Sequence, residues 1–571
     1  MEANTVDCDV LVVGSGAGGM SAAITAQAHG LNVIIAEKEP FYGGTTARSG
    51  GVLWIPANSV NAKVGTKDSL QAARTYLQHE TGNFFDAARV DAFLENGDAM
   101  VRWFESNTAV RFAPNDGLPD YHPAAPGGIA GGRSIVAAPY RGQELGAQIA
   151  RLRPPLKEIT FVGMMFNVSR EVQHFFRATK SLTSAIYVAK RLLAHGYEMT
   201  RHGRAMRLTN GNALAARLAR SVFDRQIPLW TNAQVNQLIV ENGRVVGAQI
   251  NRNGNAVTVR AKRGVVLAAG GFPLDQARRR ELFPHAPTGA EHYSPAPPGN
   301  TGDGLRLGES VGGVVQTDLP NSGAWIPVSR VPYRDGTTGH FPHLIDRYKP
   351  GIIAVLKSGR RFANEADSYH DVGRAMIDSA EGETAAWLIC DSKALNQYGL
   401  GFVKPFPVPR LQHLRSGYLK RGQTLRDLAV ATGIDPAGLE RTIAAYNEGA
   451  RKGSDTAFGR GESAYNRYLG DAEHLPNPNV APIEAGPFFA VRIDVGDLGT
   501  FAGLRTDENA QVVAETGRAI PGLFAVGNDA ASIMGGNYPG GGITLGPAMT
   551  FGFIAGRHLA STSQREQENT G

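Results

Sequence analysis

Cysteine is nearly absent: Cys8 and Cys390 are the only two in 571 residues. Two thiols exclude a disulfide framework and a cysteine-built metal cluster, and no metal site is expected. No apolar run reaches the roughly 18–20 residues of a membrane-spanning helix. The N-terminus lacks a basic n-region ahead of its first apolar run, so no signal peptide is expected and the reading is cytoplasmic. Acid is in slight deficit, with 58 Lys+Arg against 52 Asp+Glu, a net charge of +6. The surplus forms no basic tail, so no nucleic-acid partner is expected. The 70 glycines show no G-X-Y period and cluster in turns instead. That suits a chain pressing its backbone against a large ligand. At this length two or more domains are expected.

The most informative stretch is an apolar run, residues 9–13, meeting Gly14, Ser15, Gly16, Ala17, Gly18 and Gly19. Gly14, Gly16 and Gly19 have the G-x-G-x-x-G spacing. The first permits a tight turn, the second lets a pyrophosphate approach the backbone, and the third lets helix and strand pack closely. The small-residue helix that follows offers N–H groups and a partial positive charge to phosphates. A second apolar run ends at Glu37, near where a ribose hydroxyl would be bound. Next comes a loop containing Gly43, Gly44, Thr45, Thr46, Ser49, Gly50 and Gly51. It is similar to the G-G-x-[ST]-x-x-S-G-G run of flavoproteins resembling fumarate reductase, which wraps the isoalloxazine ring and the pyrophosphate. A nicotinamide dehydrogenase needs no such loop, so the cofactor expected is FAD.

Apolar residues at helical spacing over 65–108 predict surface helices. Tyr121 then stands in a Pro/Gly-rich loop. Residues 154–205 mix Phe, Met, Leu and Ile with Lys157, Arg170, Arg177, Lys180, Lys190, Arg191, Arg201 and Arg204. This predicts a basic amphipathic helical insertion that lies on a membrane surface or docks on the core. Asn242-Gly243 marks a hairpin turn. An apolar strand then ends at Ala269, Gly270 and Gly271, and residues 300–304 open a helix. From about 319 to 494 no nucleotide-type glycine signal appears, and a substrate domain is expected there. The chain returns to the cofactor with Gly527, Asn528 and Asp529 at a strand end, the acid suiting ribityl hydroxyls. Its tail carries Tyr538, then Gly542, Ile543, Thr544 and Leu545 at another glycine turn and helix start.

With those residues in view, the chain resembles the 3-ketosteroid Δ1-dehydrogenases, flavoenzymes of the fumarate-reductase-like superfamily. The specific part is the tail from Asn537 to Phe551. The resemblance implies an α/β fold: a Rossmann-like FAD-binding domain of glutathione-reductase type, with an inserted α+β substrate domain and a small helical, membrane-associated insertion. The boundaries expected are 1–153, 206–318 and 495–571 for FAD binding, 154–205 for the insertion and 319–494 for the substrate. Cofactor contacts extend to Lys38 and Val235. The family's active site implies Tyr121, Tyr369, Tyr538 and Gly542. Tyr538 and Gly542 would hold the 3-keto oxygen, Tyr369 would take the carbon-2 proton, and Tyr121 would stabilise or relay its charge. Hydride would pass from carbon 1 to flavin N5. The implied partners are a 3-ketosteroid, in steroid degradation, and an external quinone-like electron acceptor, with peripheral contact at the inner membrane face through 154–205. The alternatives are a Δ4-(5α)-ketosteroid dehydrogenase or a fumarate-reductase-like enzyme with another enone or ketone. Fumarate reductases use a His-Thr-Met-Gly-Gly segment and a catalytic Arg. Residues 498–503 here hold no His, which argues against a dicarboxylate.

Overall fold

The computed structural model describes residues 4–166, 174, 175, 178 and 181–568. Two sheets organise it. The first has eight strands. Along its main path run Gln511–Val513, Ala519–Ala525, Asn255–Leu267, Asn4–Val13, Val33–Ala36 and Leu229–Trp230. Its central pairings are parallel, and Ala233–Glu241 and Arg244–Arg252 add an antiparallel meander through the turn at Asn242-Gly243. The central strands read as unbroken apolar runs because both faces are covered: Val10, Leu11, Val12, Val265 and Val266 are fully buried. One face carries the helix Ala17–Ala28, on which the last helix, Leu545–Glu568, packs. Gly552 and Gly556 make that approach possible. A Cβ on Gly552 would sit 2.5 Å from Gly18 O, and one on Gly556 would sit 2.8 Å from Ala22 O.

The second sheet is antiparallel, in the order Thr338–Pro342, Gly323–Pro332, Phe488–Thr500, Ala385–Cys390, Ile352–Val355. The helices Leu425–Thr432 and Pro436–Ala450 cover it, separated at Gly433, which caps the first in the left-handed region. The strand Phe488–Thr500 runs straight through residue 494, so the domain boundary expected there lies inside one element. Its last residues reach the first sheet's cofactor side, where Leu498 lines both the cleft and the cavity described below.

The expected surface helices are Leu70–Thr81 and Ala87–Asn107, each N-capped by its preceding Ser69 or Asp86 side chain. In the 154–205 insertion the structure describes a short turn at Lys157–Ile159 and a helix at Leu182–His202. Arg170, Arg177 and Lys180 lie outside the described residues. Bonds within the insertion and out of it hold it in place: Arg204 donates to Ile149 O at 2.8 Å and Asn210 to Phe166 O at 2.8 Å. His195 Nε2 lies 2.8 Å from Val162 O, and Tyr333 donates to Glu158 at 2.6 Å. No helix among the described residues is long and apolar enough to cross a membrane.

Candidate active site

A cleft runs along the end of the first sheet. Among the residues expected at the cofactor, 14–18, 37, 38, 44–46, 49, 235, 269, 270, 527, 528, 544 and 545 line it. Its floor is bare backbone: a Cβ on Gly14, at φ +107°, would sit 2.2 Å from Ala268 O. First residues of two helices, Ala17 and Leu545, both line the cleft, so two partially positive helix ends face it. Glu37 closes one end, accepting from Ser15 N at 3.2 Å and from Ser15 Oγ at 2.5 Å. A glycine floor, two helix N-termini and a carboxylate at the ribose end are the donor set a dinucleotide such as FAD requires.

Five residues expected at the cofactor line neither this cleft nor the adjoining cavity. Gly19 serves packing, since its Cβ would meet Gly14 O at 2.3 Å. Gly43 donates to Ser15 Oγ at 3.0 Å and so braces the first loop from behind. Ile543 is buried. Asp529 is fully buried and accepts from Ala269 N and, at 2.8 Å, from Gly271 N. Its carboxyl, pushed up to about 6 by burial, closes the 269–271 turn. Its neighbour Asn528 faces the cleft instead. Sequence reasoning missed Asn300 and Asp303, which also line the cleft. Lys38 bonds to Thr301 and pairs with Asp303, so the helix start at 300–304 carried the signal.

Beyond the cleft opens a cavity of about 1480 Å³. Tyr121, Tyr369, Tyr538, Gly50, Gly51 and Gly542 lie on its wall, as do Phe161, Phe166, Phe175, Val188 and Leu192 of the insertion. The three phenols come from three distant stretches and meet. Tyr121 stacks on Tyr538 with centroids 5.6 Å apart and planes at 10°, and Tyr369 stands edge-on to both. Tyr121 donates to the Tyr369 hydroxyl at 2.8 Å. Specific devices hold each ring. The Tyr121 N–H donates to Pro539 O at 2.9 Å, clipping its loop to the tail that carries Tyr538. Asp120, next door, is buried and accepts from Trp54 Nε1 at 2.9 Å and from Arg133 at 2.7 Å. Tyr369 begins the helix Tyr369–Asp378, capped by Ser368. His122 bridges Glu80 and Asp371, joining the Tyr121 loop to the Tyr369 helix. Burial opposes its charge, but the two carboxylates prevail and push its pKa up to about 10.

Gly542 sits at φ +102°, and a Cβ there would lie 2.6 Å from Leu53 C and Trp54 N. Its carbonyl accepts from Trp54 N at 3.1 Å. Among the described residues no acceptor takes its own N–H. An amide donor and a phenol on one wall of a largely apolar cavity are the kind of groups that can hold a developing oxyanion. The cavity also holds cations that the sequence did not single out. Lys349, pushed down to about 8 by burial, donates to Leu469 O and Gly470 O. Lys404, also pushed down by burial, has no ion pair within 4 Å among the described residues and packs near the Phe341 and Phe402 rings.

The FAD binding domain family model matches residues 9–545. The chain is 41% identical to a 4-oxocyclohex-2-ene-1-carboxylate 5-dehydrogenase of Sinomonas cyclohexanicum, over 99% of this chain and 96% of that one. It is 35% identical to a 3-oxosteroid 1-dehydrogenase of Mycobacterium tuberculosis, strain H37Rv, over 97% and 98% of the two chains. Among solved structures it resembles a 3-ketosteroid delta1-dehydrogenase from Sterolibacterium denitrificans in complex with 1,4-androstadiene-3,17-dione. There the TM-score is 0.90 and the identity 37%, covering 97% of this chain and 100% of the other.

Proposed function

The chain belongs to the FAD binding domain family, as an FAD-dependent dehydrogenase of the ketosteroid dehydrogenase type, and from that premise we propose that it desaturates the carbon 1–carbon 2 bond of 3-ketosteroids. One observation carries the reading: Tyr121, Tyr369 and Tyr538 meet beside the unused Gly542 N–H on the wall of one apolar cavity. Tyr538 O–H and Gly542 N–H receive the ketone oxygen and stabilise the charge that builds there. Tyr369 accepts the carbon-2 proton, and Tyr121, already donating to its oxygen, stabilises the phenolate form. When bound, FAD supplies the two-electron oxidation by accepting the hydride from carbon 1. An external quinone-like acceptor completes the cycle. The cavity, larger than the roughly 300–1,000 Å³ usual for small ligands, has room for a fused-ring substrate beside the cofactor.

Lys404 favours a second reading, a ring ketone bearing a carboxylate, the substrate type named for the Sinomonas relative. An unpaired cation in an apolar cavity is costly unless a ligand anion meets it. Anaerobic mixing separates the two. Under the steroid reading, androst-4-ene-3,17-dione bleaches the flavin band, 4-oxocyclohexanecarboxylate does not, and Lys404→Met changes neither. Under the second reading the carboxylate bleaches it, and Lys404→Met slows that reaction about tenfold or more. Neither reading survives if fumarate alone reoxidises the reduced enzyme and both ketones fail to reduce it.

The insertion helix Leu182–His202 has two apolar faces. Ala185, Val188, Ala189 and Leu192 line the cavity. Leu182, Leu193 and Tyr197 are 78%, 76% and 68% exposed, with Lys190 and Arg201 exposed beside them. This face suits the inner membrane surface, from which a lipid-dissolved steroid would enter. Leu193→Asp with Tyr197→Asp is expected to abolish co-flotation with anionic lipid vesicles while flavin content stays unchanged. Undiminished flotation would remove the membrane from the account.

A further inference from the structure

One side chain ties together the stretches that carry the three phenols. His122 follows Tyr121 directly. Its Nδ1 lies 2.7 Å from Glu80, at the end of the helix Leu70–Thr81, and its Nε2 lies 3.0 Å from Asp371, two residues beyond Tyr369. A neutral imidazole has one N–H and one lone pair, so it can donate to only one of these carboxylates. Both nitrogens face an acid, and the bridge is complete only as the imidazolium.

The same helix end holds the tail. Tyr76 donates to Pro539 O at 2.7 Å and accepts from His122 N at 3.3 Å, and Asn537 donates to Glu80 O. Asn537 and Pro539 flank Tyr538. The bond from Tyr121 to Tyr369, 2.8 Å long, spans the very loop and helix that His122 joins.

Among the described residues no other cation comes within 4 Å of Glu80 or Asp371. The Glu80 side chain is 7% exposed and that of Asp371 38%, so salt screens the second arm more than the first. Ser368 also donates to Asp371, at 2.6 Å. Burial opposes the charge on Asp371, but His122 chiefly prevails and holds its pKa below the ordinary carboxylate range. The other charged and titratable groups nearby are engaged elsewhere. Asp367 accepts from Asn466 at 3.0 Å and is pushed up to about 6 by burial. His370 accepts from Trp325 N and is pushed down to about 4 by burial. Arg374 pairs with Asp378, and Asp120 with Arg133.

We propose that His122, as the imidazolium, is a positioning residue: it clamps the Tyr121 loop to the Tyr369 helix, fixes the hydrogen bond between their hydroxyls, and so sets the rate of proton removal. The proposal rests on the reading of Tyr121 and Tyr369 given above. Without the cation the two carboxylates lose their common partner, and loop and helix lose their tie at the point nearest the phenols.

A double-mutant cycle reads the coupling. His122→Gln keeps a hydrogen-bonding side chain but carries no charge to place between two carboxylates. It is expected to lower kcat about 10–10²-fold, the effect of an ångström-scale misplacement, with KM and flavin content near those of the parent. Introduced into Tyr121→Phe, which already lacks the hydroxyl that the clamp places, it should lower kcat by less than about twofold more. A merely structural role multiplies the two losses, and that result overturns the proposal, as does a parent rate in His122→Gln. If His122→Gln binds no FAD, Asp371→Asn removes one arm and is carried through the same cycle with the same expectation. A parent rate in Tyr121→Phe would instead overturn the role given to Tyr121, and the clamp with it. The charge has its own readout. With a folded pKa pushed up to about 10, against an ordinary value of about 6.5, the contribution of the clamp to stability is whole below about pH 6.5 and is lost as pH rises through about 10. The difference in melting temperature between parent and His122→Gln is therefore expected to shrink over that range. A difference that stays constant to about pH 11 overturns the imidazolium clamp.

Discussion

Tyr369→Phe is expected to lose dehydrogenation by about 10²–10⁴-fold while keeping its FAD, because the substitution removes the proton acceptor and little else. The phenylalanine ring keeps the edge-on contacts with Tyr121 and Tyr538. Ser368 still caps the helix, since that bond runs from the Asp371 N–H to the Ser368 hydroxyl. The cofactor cleft has no Tyr369 atom on its wall. The measurement is the rate of anaerobic flavin bleaching by the ring ketone, beside the ratio of flavin absorbance to protein. A rate within tenfold of the parent would place the base elsewhere. Loss of flavin would mean the ring is structural.

Gly542→Ala is expected to cost about 10²–10³ in kcat, the usual effect of removing one oxyanion donor. No added atom need touch the substrate for this. At φ +102° an L side chain is strained, and the new Cβ would overlap Leu53 and Trp54 backbone at 2.6 Å. Those atoms belong to the strand Val52–Trp54 and cannot give as a flexible side chain would. The 542 turn must therefore rotate, and its N–H rotates with it. The check is kcat for the ketone together with flavin content. A variant that binds FAD normally and turns over at the parent rate would show that the amide does not hold the oxygen.

The cofactor cleft was legible in the sequence because its requirements are local. A glycine at positive φ, a strand before it and a helix after it are all encoded within about twenty residues. Tyr538 and Gly542 stand four residues apart in one turn-rich segment at the cofactor end, but their roles came from the family resemblance. Tyr121 and Tyr369 could be named only through a family resemblance, since nothing in a Pro/Gly loop announces which phenol faces inward. Asp529 shows why a strand-end acid is ambiguous in a sequence. An acid at a strand end can serve a ligand hydroxyl or the next turn's N–H groups, and here the turn claimed it. The boundary expected at 494 falls inside the strand Phe488–Thr500. Gly496 sits mid-strand, where Tyr293 O passes 2.4 Å from the place a Cβ would take.

That unbroken strand, Phe488–Thr500, has a thermal consequence. It is paired along its length into the antiparallel sheet, and its far end forms part of the wall against which the cofactor lies. Neither half can melt without stripping hydrogen bonds from a strand the other half needs. Heating should therefore produce one cooperative transition, with flavin released as the antiparallel sheet is lost.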